Sequence, residues 1–259
     1  MEYSTLDKLG VRVSRLGFGC MRFPLTAEGK IDEPRAAAML DTAYKAGVTY
    51  YDTAYFYHQH TGEAFLGRAM KRYPRDTFYL ATKMPMSIVE SLDHAKEIFE
   101  GQLAALQTDY VDFYLLHAVN GERWKQAQEM GIVDFLLEMQ KAGRIRHFGF
   151  SFHGSYEEFE TILTARDWDF CQIQFNYMDQ EIQAGMRGYA LAEKLGVSRQ
   201  AVSKWESAQA IPDLGRVLAM ADLFSVTTDY LLRDENEAPT PAAVEDGASE
   251  SSVRRVSME

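Results

Sequence analysis

The chain has 259 residues, of which 46% are hydrophobic, so it can bury a core large enough for one large domain or two smaller ones. Its formal net charge of -11 argues against broad attraction to nucleic acids or anionic membranes, because phosphate binding depends on lysine and arginine. With two cysteines and no evident signal peptide, long apolar span or metal-ligand set, the sequence predicts a soluble cytoplasmic protein without membrane contact.

After a predicted N-terminal hairpin over residues 3–13, apolar runs alternate with helical patterns. Runs rich in β-branched and aromatic residues predict six strands, at 14–20, 49–53, 78–83, 111–117, 145–151 and 170–175. Periodic segments predict the intervening helices, at 33–46, 62–72, 88–107, 122–142 and 156–165. This order predicts an α/β fold with parallel strands, namely an incomplete TIM-type (β/α) barrel that has six of the eight strands needed for closure.

The pattern changes near Gly185. A seventh strand is expected after Leu195, but the residues that follow are typical of a turn and then a helix capped by Ser198. A small all-α helix-turn-helix module is therefore predicted downstream of the barrel. The last residues are rich in Asp, Glu, Pro, Ala and Ser, which predicts a disordered acidic tail. The predicted domains are a partial barrel at 1–185, the helical module at 186–233 and the tail at 234–259.

Four polar residues lie at the ends of three neighbouring predicted strands. Asp52 and Tyr57 come at the end of the second strand, while Lys83 ends the third and His117 ends the fourth. Because parallel strands bring their carboxyl ends to one rim, these side chains are expected to converge. Each of them alone is more commonly a structural polar group, but their order and spacing favour catalysis.

The chemistry of this set follows from the properties of a phenol. A tyrosine has an ordinary pKa of about 10, so a cation must stabilise its phenolate before it can donate a proton near neutrality. Lys83 can supply that charge, and Asp52 can orient the lysine. His117 can orient and polarise a substrate carbonyl.

Residues 1 to about 185 resemble the aldo/keto reductase family. The resemblance is carried by the motifs at 16–21, 52–57, 80–83 and 114–117. It implies NADPH-dependent reduction of an aldehyde or ketone, a small carbonyl substrate. In that reaction Tyr57 would be the general acid, Lys83 and Asp52 its tuning partners, and His117 the residue that orients the carbonyl.

The same resemblance implies a cofactor site. Ser151 and Gln172 match residues that hold the nicotinamide carboxamide, and His153 stands close to the position of a usual asparagine. Met21 and Arg22 would approach from the first loop, beside Asp52. The family's aromatic residue after the seventh strand and its basic loop after the eighth have no counterpart, which predicts weak cofactor binding and impaired activity.

A second resemblance covers about residues 188–232 and is to Xre/Cro-type helix-turn-helix regulators, through the run at 190–206. It implies a recognition helix whose outward residues could meet a DNA major groove: Arg199, Gln200, Ser203 and Lys204. The family's first helix is missing, so useful DNA binding would require a homodimer. Three interpretations stay open: a reductase, a sequence-specific DNA-binding regulator and a nonfunctional fusion of two incomplete parts.

Overall fold

The computed structural model describes residues 1–176 and 180–202, with the backbone alone for 198–202. Its helices are α1 (Glu33–Lys45), α2 (Gly62–Met70), α3 (Leu92–Leu106), α4 (Gly121–Glu129), α5 (Ile132–Lys141), α6 (Tyr156–Thr164) and α7 (Gly185–Lys194). Its strands are β1 (Tyr3–Leu6), β2 (Val11–Ser14), β3 (Phe18–Gly19), β4 (Tyr50–Asp52), β5 (Tyr79–Met84), β6 (Val111–Val119), β7 (Ile145–Phe152), β8 (Phe170–Gln174) and β9 (Ser198–Val202). None of the described helices is both long and apolar enough to span a bilayer.

The main sheet is parallel and takes its strands in chain order, from β3 to β9. The six predicted parallel strands and the antiparallel N-terminal hairpin are confirmed, and together the strands form a curled, incomplete barrel. Within the described residues β9 does not pair with β3, so the sheet remains open. Parallel order and sequential neighbours place the carboxyl ends of all these strands on one rim.

The amino-terminal end of the curled sheet is filled by side chains. Phe113 packs edge-on against Tyr50 and Phe170, with ring centroids 5.1 Å apart in both pairs. Val13 of the hairpin belongs to the same buried cluster. Because this end is filled by aromatic rings and approached by the hairpin, the opposite rim is the end that a ligand can reach.

Several helices begin where the side chains of the preceding loop cap them. Ser91 accepts a hydrogen bond from the backbone of His94 at the start of α3, which begins four residues later than the sequence pattern predicts. Ser155 and Glu158 form a reciprocal capping box at the start of α6. These caps fix the loops that leave the carboxyl rim.

Two predicted elements differ from those observed. The helix predicted over 122–142 is two helices, because Gly131 adopts a left-handed conformation with φ 70° between α4 and α5. The first strand, predicted over 14–20, is only the two-residue β3, since the chain turns into a 3₁₀ turn at Cys20–Arg22.

The prediction of a helix beginning at Ser198 is wrong for the described residues. Residues 198–202 form β9, which pairs in parallel with β8 over five positions. Without β9 the edge of β8 would carry unpaired backbone groups, and satisfying them outweighs the local helix pattern. The seventh strand, which the sequence pattern after Leu195 does not indicate, is therefore supplied by the segment that resembles a helix-turn-helix.

The helix α7 also packs on the partial barrel. Tyr189 stacks on Phe175, with ring centroids 5.3 Å apart. Gly188 lies so close to Phe159 of α6 that an added Cβ would be 3.0 Å from its ring. The domain boundaries at 185 and 233 stay predictions, and the tail at 234–259 lies outside the described residues.

Candidate active site

Lys83 lies at the centre of the group at the carboxyl rim. Its Nζ donates to Asp52 Oδ1 at 2.6 Å, to the Thr53 carbonyl at 2.8 Å and to the Tyr57 hydroxyl at 3.4 Å. Lys83 is 3% exposed and Asp52 is 8% exposed, so water competes little for this ion pair. The structure thus brings Asp52, Tyr57 and Lys83 into direct contact.

The charge of Lys83 is retained despite its burial. Burial by itself lowers the pKa of this lysine, but the attraction of the Asp52 carboxylate and the contacts with Tyr57 outweigh it and raise the pKa above its ordinary value. The ammonium is therefore held as a permanent cation beside the phenol at neutral pH.

His117 approaches the same phenol from β6. Its ring centroid lies 6.4 Å from that of Tyr57, with the two rings nearly perpendicular. Burial, reinforced by the positive charges of Lys83 and Arg123 and by His153, lowers the pKa of His117 to about 3. The imidazole is therefore neutral at physiological pH, and it can donate one hydrogen bond and accept another.

The loop after Tyr57 is held in an uncommon backbone conformation. Three successive residues, His58, Gln59 and His60, have positive φ angles of 52°, 55° and 68°. Left-handed backbone is unfavourable for residues that carry a Cβ, and such outliers often lie at functional sites. The Tyr57 carbonyl accepts from Gly62 at 3.2 Å, where a Cβ on Gly62 would lie 3.1 Å from that oxygen. Glycine at 62 thus allows α2 to begin directly beneath the tyrosine.

The predicted cofactor residues lie at the same rim. Ser151 and Gln172 are buried at paired positions of β7 and β8, and Gln172 Oε1 has no hydrogen-bond partner among the described residues. His153 is exposed, with its Nδ1 3.1 Å from Gln183 Oε1. Met21 and Arg22 are exposed on the 3₁₀ turn after β3.

A buried polar network behind Lys83 was not predicted. Gln102 of α3 donates to Glu63 at 2.8 Å and to the Lys83 carbonyl at 3.0 Å, and it accepts from Tyr114 at 2.6 Å. Thr82 also donates to Glu63. Burial raises the pKa of Glu63, against the hydrogen bonds from Thr82 and Gln102 that lower it. No spacing in the sequence relates these residues, because they come from separate elements.

The residues predicted to contact DNA lie at the edge of the described structure or beyond it. Arg199 and Gln200 belong to β9. Ser203 and Lys204 lie outside the described residues.

Two family models match the chain. Residues 15–203 match the model of the aldo/keto reductase family, and residues 181–231 match a helix-turn-helix model. The two matches overlap over 181–203, so the same segment fits both.

Known proteins with a similar sequence or structure carry the same family description. The aldo-keto reductase YhdN of Bacillus subtilis (strain 168) is 29% identical over 205 residues, which cover 75% of this chain and 60% of the relative. The holo form of aldo-keto reductase AKR11C1 from Bacillus halodurans is 28% identical and superposes with a TM-score of 0.65, covering 82% of this chain and 71% of that one. An aldo-keto reductase from Klebsiella pneumoniae in complex with NADPH superposes with the same TM-score at 21% identity, covering 90% and 80%. The chain spans less than two thirds of the length of the curated relatives it matches.

Proposed function

Because the chain belongs to the aldo/keto reductase family, we propose that it reduces an aldehyde or ketone with NADPH, with Tyr57 as the general acid. The observation that carries this proposal is the position of Lys83 Nζ, which is hydrogen-bonded both to Asp52 and to the Tyr57 hydroxyl. A buried cation beside a phenol stabilises the phenolate that remains after proton transfer. A lysine that served only to neutralise the Asp52 carboxylate would not need the contact with the Tyr57 hydroxyl.

The neutral state of His117 supports Tyr57 as the proton donor. With a pKa of about 3, His117 is protonated in only about one molecule in ten thousand at neutral pH, which favours Tyr57 over an imidazolium as the acid. It can instead donate an N–H hydrogen bond to the substrate carbonyl and hold it towards Tyr57. The tyrosine proton then passes to the carbonyl oxygen as the carbonyl carbon is reduced, and Lys83 stabilises the phenolate left behind.

The residues present fit a nicotinamide carboxamide. Gln172 Oε1 is a buried acceptor without a partner among the described residues, which is the group that an amide N–H would satisfy. Ser151 can donate its hydroxyl proton to the amide oxygen, and Arg22 and His153 lie on the loops that follow β3 and β7 at the same rim. When bound, NADPH supplies the hydride for this reduction.

Cofactor affinity is expected to be low. The resemblance assigns the adenosine-phosphate clamp to the loop after an eighth strand, for which this sequence has no recognisable counterpart. Each lost charge-assisted contact weakens binding by about 1.5 to 3 kcal/mol. We therefore expect saturation only at concentrations on the order of high micromolar to millimolar.

The test is a titration of the full chain with NADPH, followed by protein fluorescence, and then turnover of a panel of small aldehydes and ketones. Tyr57→Phe should retain cofactor binding and lose about 100-fold or more in kcat, while Tyr55→Phe removes a neighbouring hydroxyl and should retain turnover. No saturable change up to about millimolar NADPH would refute the proposal. Equal turnover by the Tyr57 and Tyr55 variants would refute the assignment of the acid.

A second function, sequence-specific DNA binding by a homodimer, is favoured by the match of residues 181–231 to the helix-turn-helix model. It requires residues 198–202 to leave the strand β9 and form the helix that the resemblance implies. The proposed contacts are Arg199, Gln200, Ser203 and Lys204. A salt-dependent mobility shift that is lost in the double variant Arg199→Ala, Lys204→Ala and retained in Lys194→Ala would support it. A shift unaltered by the double variant would reject these contacts.

A further inference from the structure

The strand that carries His117 loses its regular pairing immediately after this residue. β6 pairs with β7 up to Leu116 and again at Val119, so residues 117–118 together form a bulge. Ala118 has a φ of 50°, which is an unfavourable conformation for a residue with a Cβ. Surrounding contacts must therefore hold the bulge in place.

The bulge changes which side of the sheet the end of β6 faces. Side chains alternate along a strand, so regular pairing would aim residue 119 into the barrel beyond His117. Instead Val119 is fully buried in the outer core and pairs with Phe152. His117 is consequently the last side chain of β6 that faces the interior of the barrel.

Both backbone polar groups of Ala118 are satisfied by side chains. The Ala118 N–H donates to Ser151 Oγ at 2.8 Å, and Arg123 Nη1 donates to the Ala118 carbonyl at 2.7 Å. Ser151 is 6% exposed, so water cannot readily replace its hydroxyl. Arg123 is partly exposed at the start of α4, which makes the serine the buried half of this pair of contacts.

We propose that Ser151 is a positioning residue that holds the bulge at Ala118 and thereby sets the orientation of the His117 imidazole. The inference deepens the proposed reductase function, since it concerns the residue that would orient the carbonyl. It also gives Ser151 a task in the protein without cofactor, in addition to the carboxamide contact that the resemblance implies.

The two tasks are compatible because they use different parts of one hydroxyl. The Ser151 oxygen accepts from Ala118, while its proton faces the Leu116 carbonyl at 3.4 Å, which is longer than a normal O–H···O bond. That proton can therefore turn to a carboxamide oxygen while the bulge stays bonded. Removing the hydroxyl removes both contacts, whereas Ser151→Thr retains the oxygen.

The first test uses the protein without cofactor and compares Ser151→Ala with Ser151→Thr. Ser155→Ala is the matched control, because it removes the helix cap of α6 and destabilises the fold without touching the bulge. In Ser151→Ala we expect amide exchange of Ala118 to be about tenfold faster and the ring nitrogen resonances of His117 to move. Ser151→Thr and Ser155→Ala should leave both near wild type. An unchanged exchange rate and an unchanged ring signal in Ser151→Ala would overturn the proposal. Faster Ala118 exchange and shifted His117 resonances in Ser155→Ala would overturn it as well.

The second test separates the two tasks of the hydroxyl by kinetics. Loss of His117 orientation should lower kcat by about 10- to 100-fold, whereas loss of the carboxamide contact alone would raise the KM for NADPH and leave kcat unchanged. A change confined to KM would overturn the positioning role. If the wild-type protein shows no turnover, the reductase proposal fails, and the exchange and ring measurements still decide the role of Ser151.

Discussion

Replacement of Lys83 by methionine tests whether the buried ion pair is held as the structure indicates. Lys83→Met keeps the length of the side chain but removes the cation that Asp52 and Tyr57 contact. The carboxylate of Asp52 would then stay buried without its partner. We expect this variant to lose stability as well as any reductase activity.

The magnitude follows from the geometry of the pair. At a separation of 2.6 Å and an effective dielectric constant of about 20, the attraction between the two charges is about 6 kcal/mol. Much of this attraction offsets the desolvation of both groups. Removal of one partner from a buried pair nevertheless destabilises by about 3 to 5 kcal/mol, because the remaining charge is uncompensated. Since whole domains are stable by only about 5 to 15 kcal/mol, Lys83→Met should be marginally folded.

The assay is urea unfolding followed by circular dichroism for the wild type, Lys83→Met, Asp52→Asn and the double variant. Asp52→Asn together with Lys83→Met removes both charges, so it should recover a large part of the stability lost in Lys83→Met alone. A double variant that is destabilised by the sum of the two single changes would refute the reasoning. A wild-type-like Lys83→Met would refute it as well, since the lysine could not then be compensating a buried carboxylate.

Two further predictions concern pH dependence and packing. The pKa of His117 is lowered to about 3 in the fold, so between about pH 6.5 and 3 the unfolded chain binds a proton at this residue and the native chain does not. This group therefore makes the free energy of unfolding fall as the pH is lowered from about 6.5 towards 3. Urea titrations across that range should show a shallower fall for His117→Phe, and an unchanged slope would contradict the lowered pKa. Gly67→Ala should destabilise the fold by about 1 to 3 kcal/mol, because the added Cβ would lie 2.6 Å from the backbone of Ala105 and Leu106. Gly101→Ala should instead stabilise it by up to about 1 kcal/mol, because alanine has a higher helix propensity than glycine and nothing lies within 4 Å of the added Cβ. Equal midpoints for these two variants in urea would reject that account of the α2–α3 contact.

The sequence determined the hairpin, the six parallel strands and the set Asp52, Tyr57, Lys83 and His117. These follow from local properties: apolar runs indicate buried strands, and polar residues at the ends of parallel strands must reach one rim. The sequence also contains Gly131 within the predicted helix 122–142. Its left-handed conformation depends on how the two helices pack, so the pattern predicts one long helix where there are two.

Tertiary structure decided the rest, because the relevant forces act between residues far apart in the chain. A helix pattern after Leu195 could not indicate that the unpaired edge of β8 would draw residues 198–202 into a strand. Likewise, nothing local to Ala118 indicates a bulge, since its two partners come from β7 and α4. The identities of the proposed catalytic side chains therefore follow from the sequence, whereas their orientation arises only when neighbouring strands satisfy one another's backbone groups.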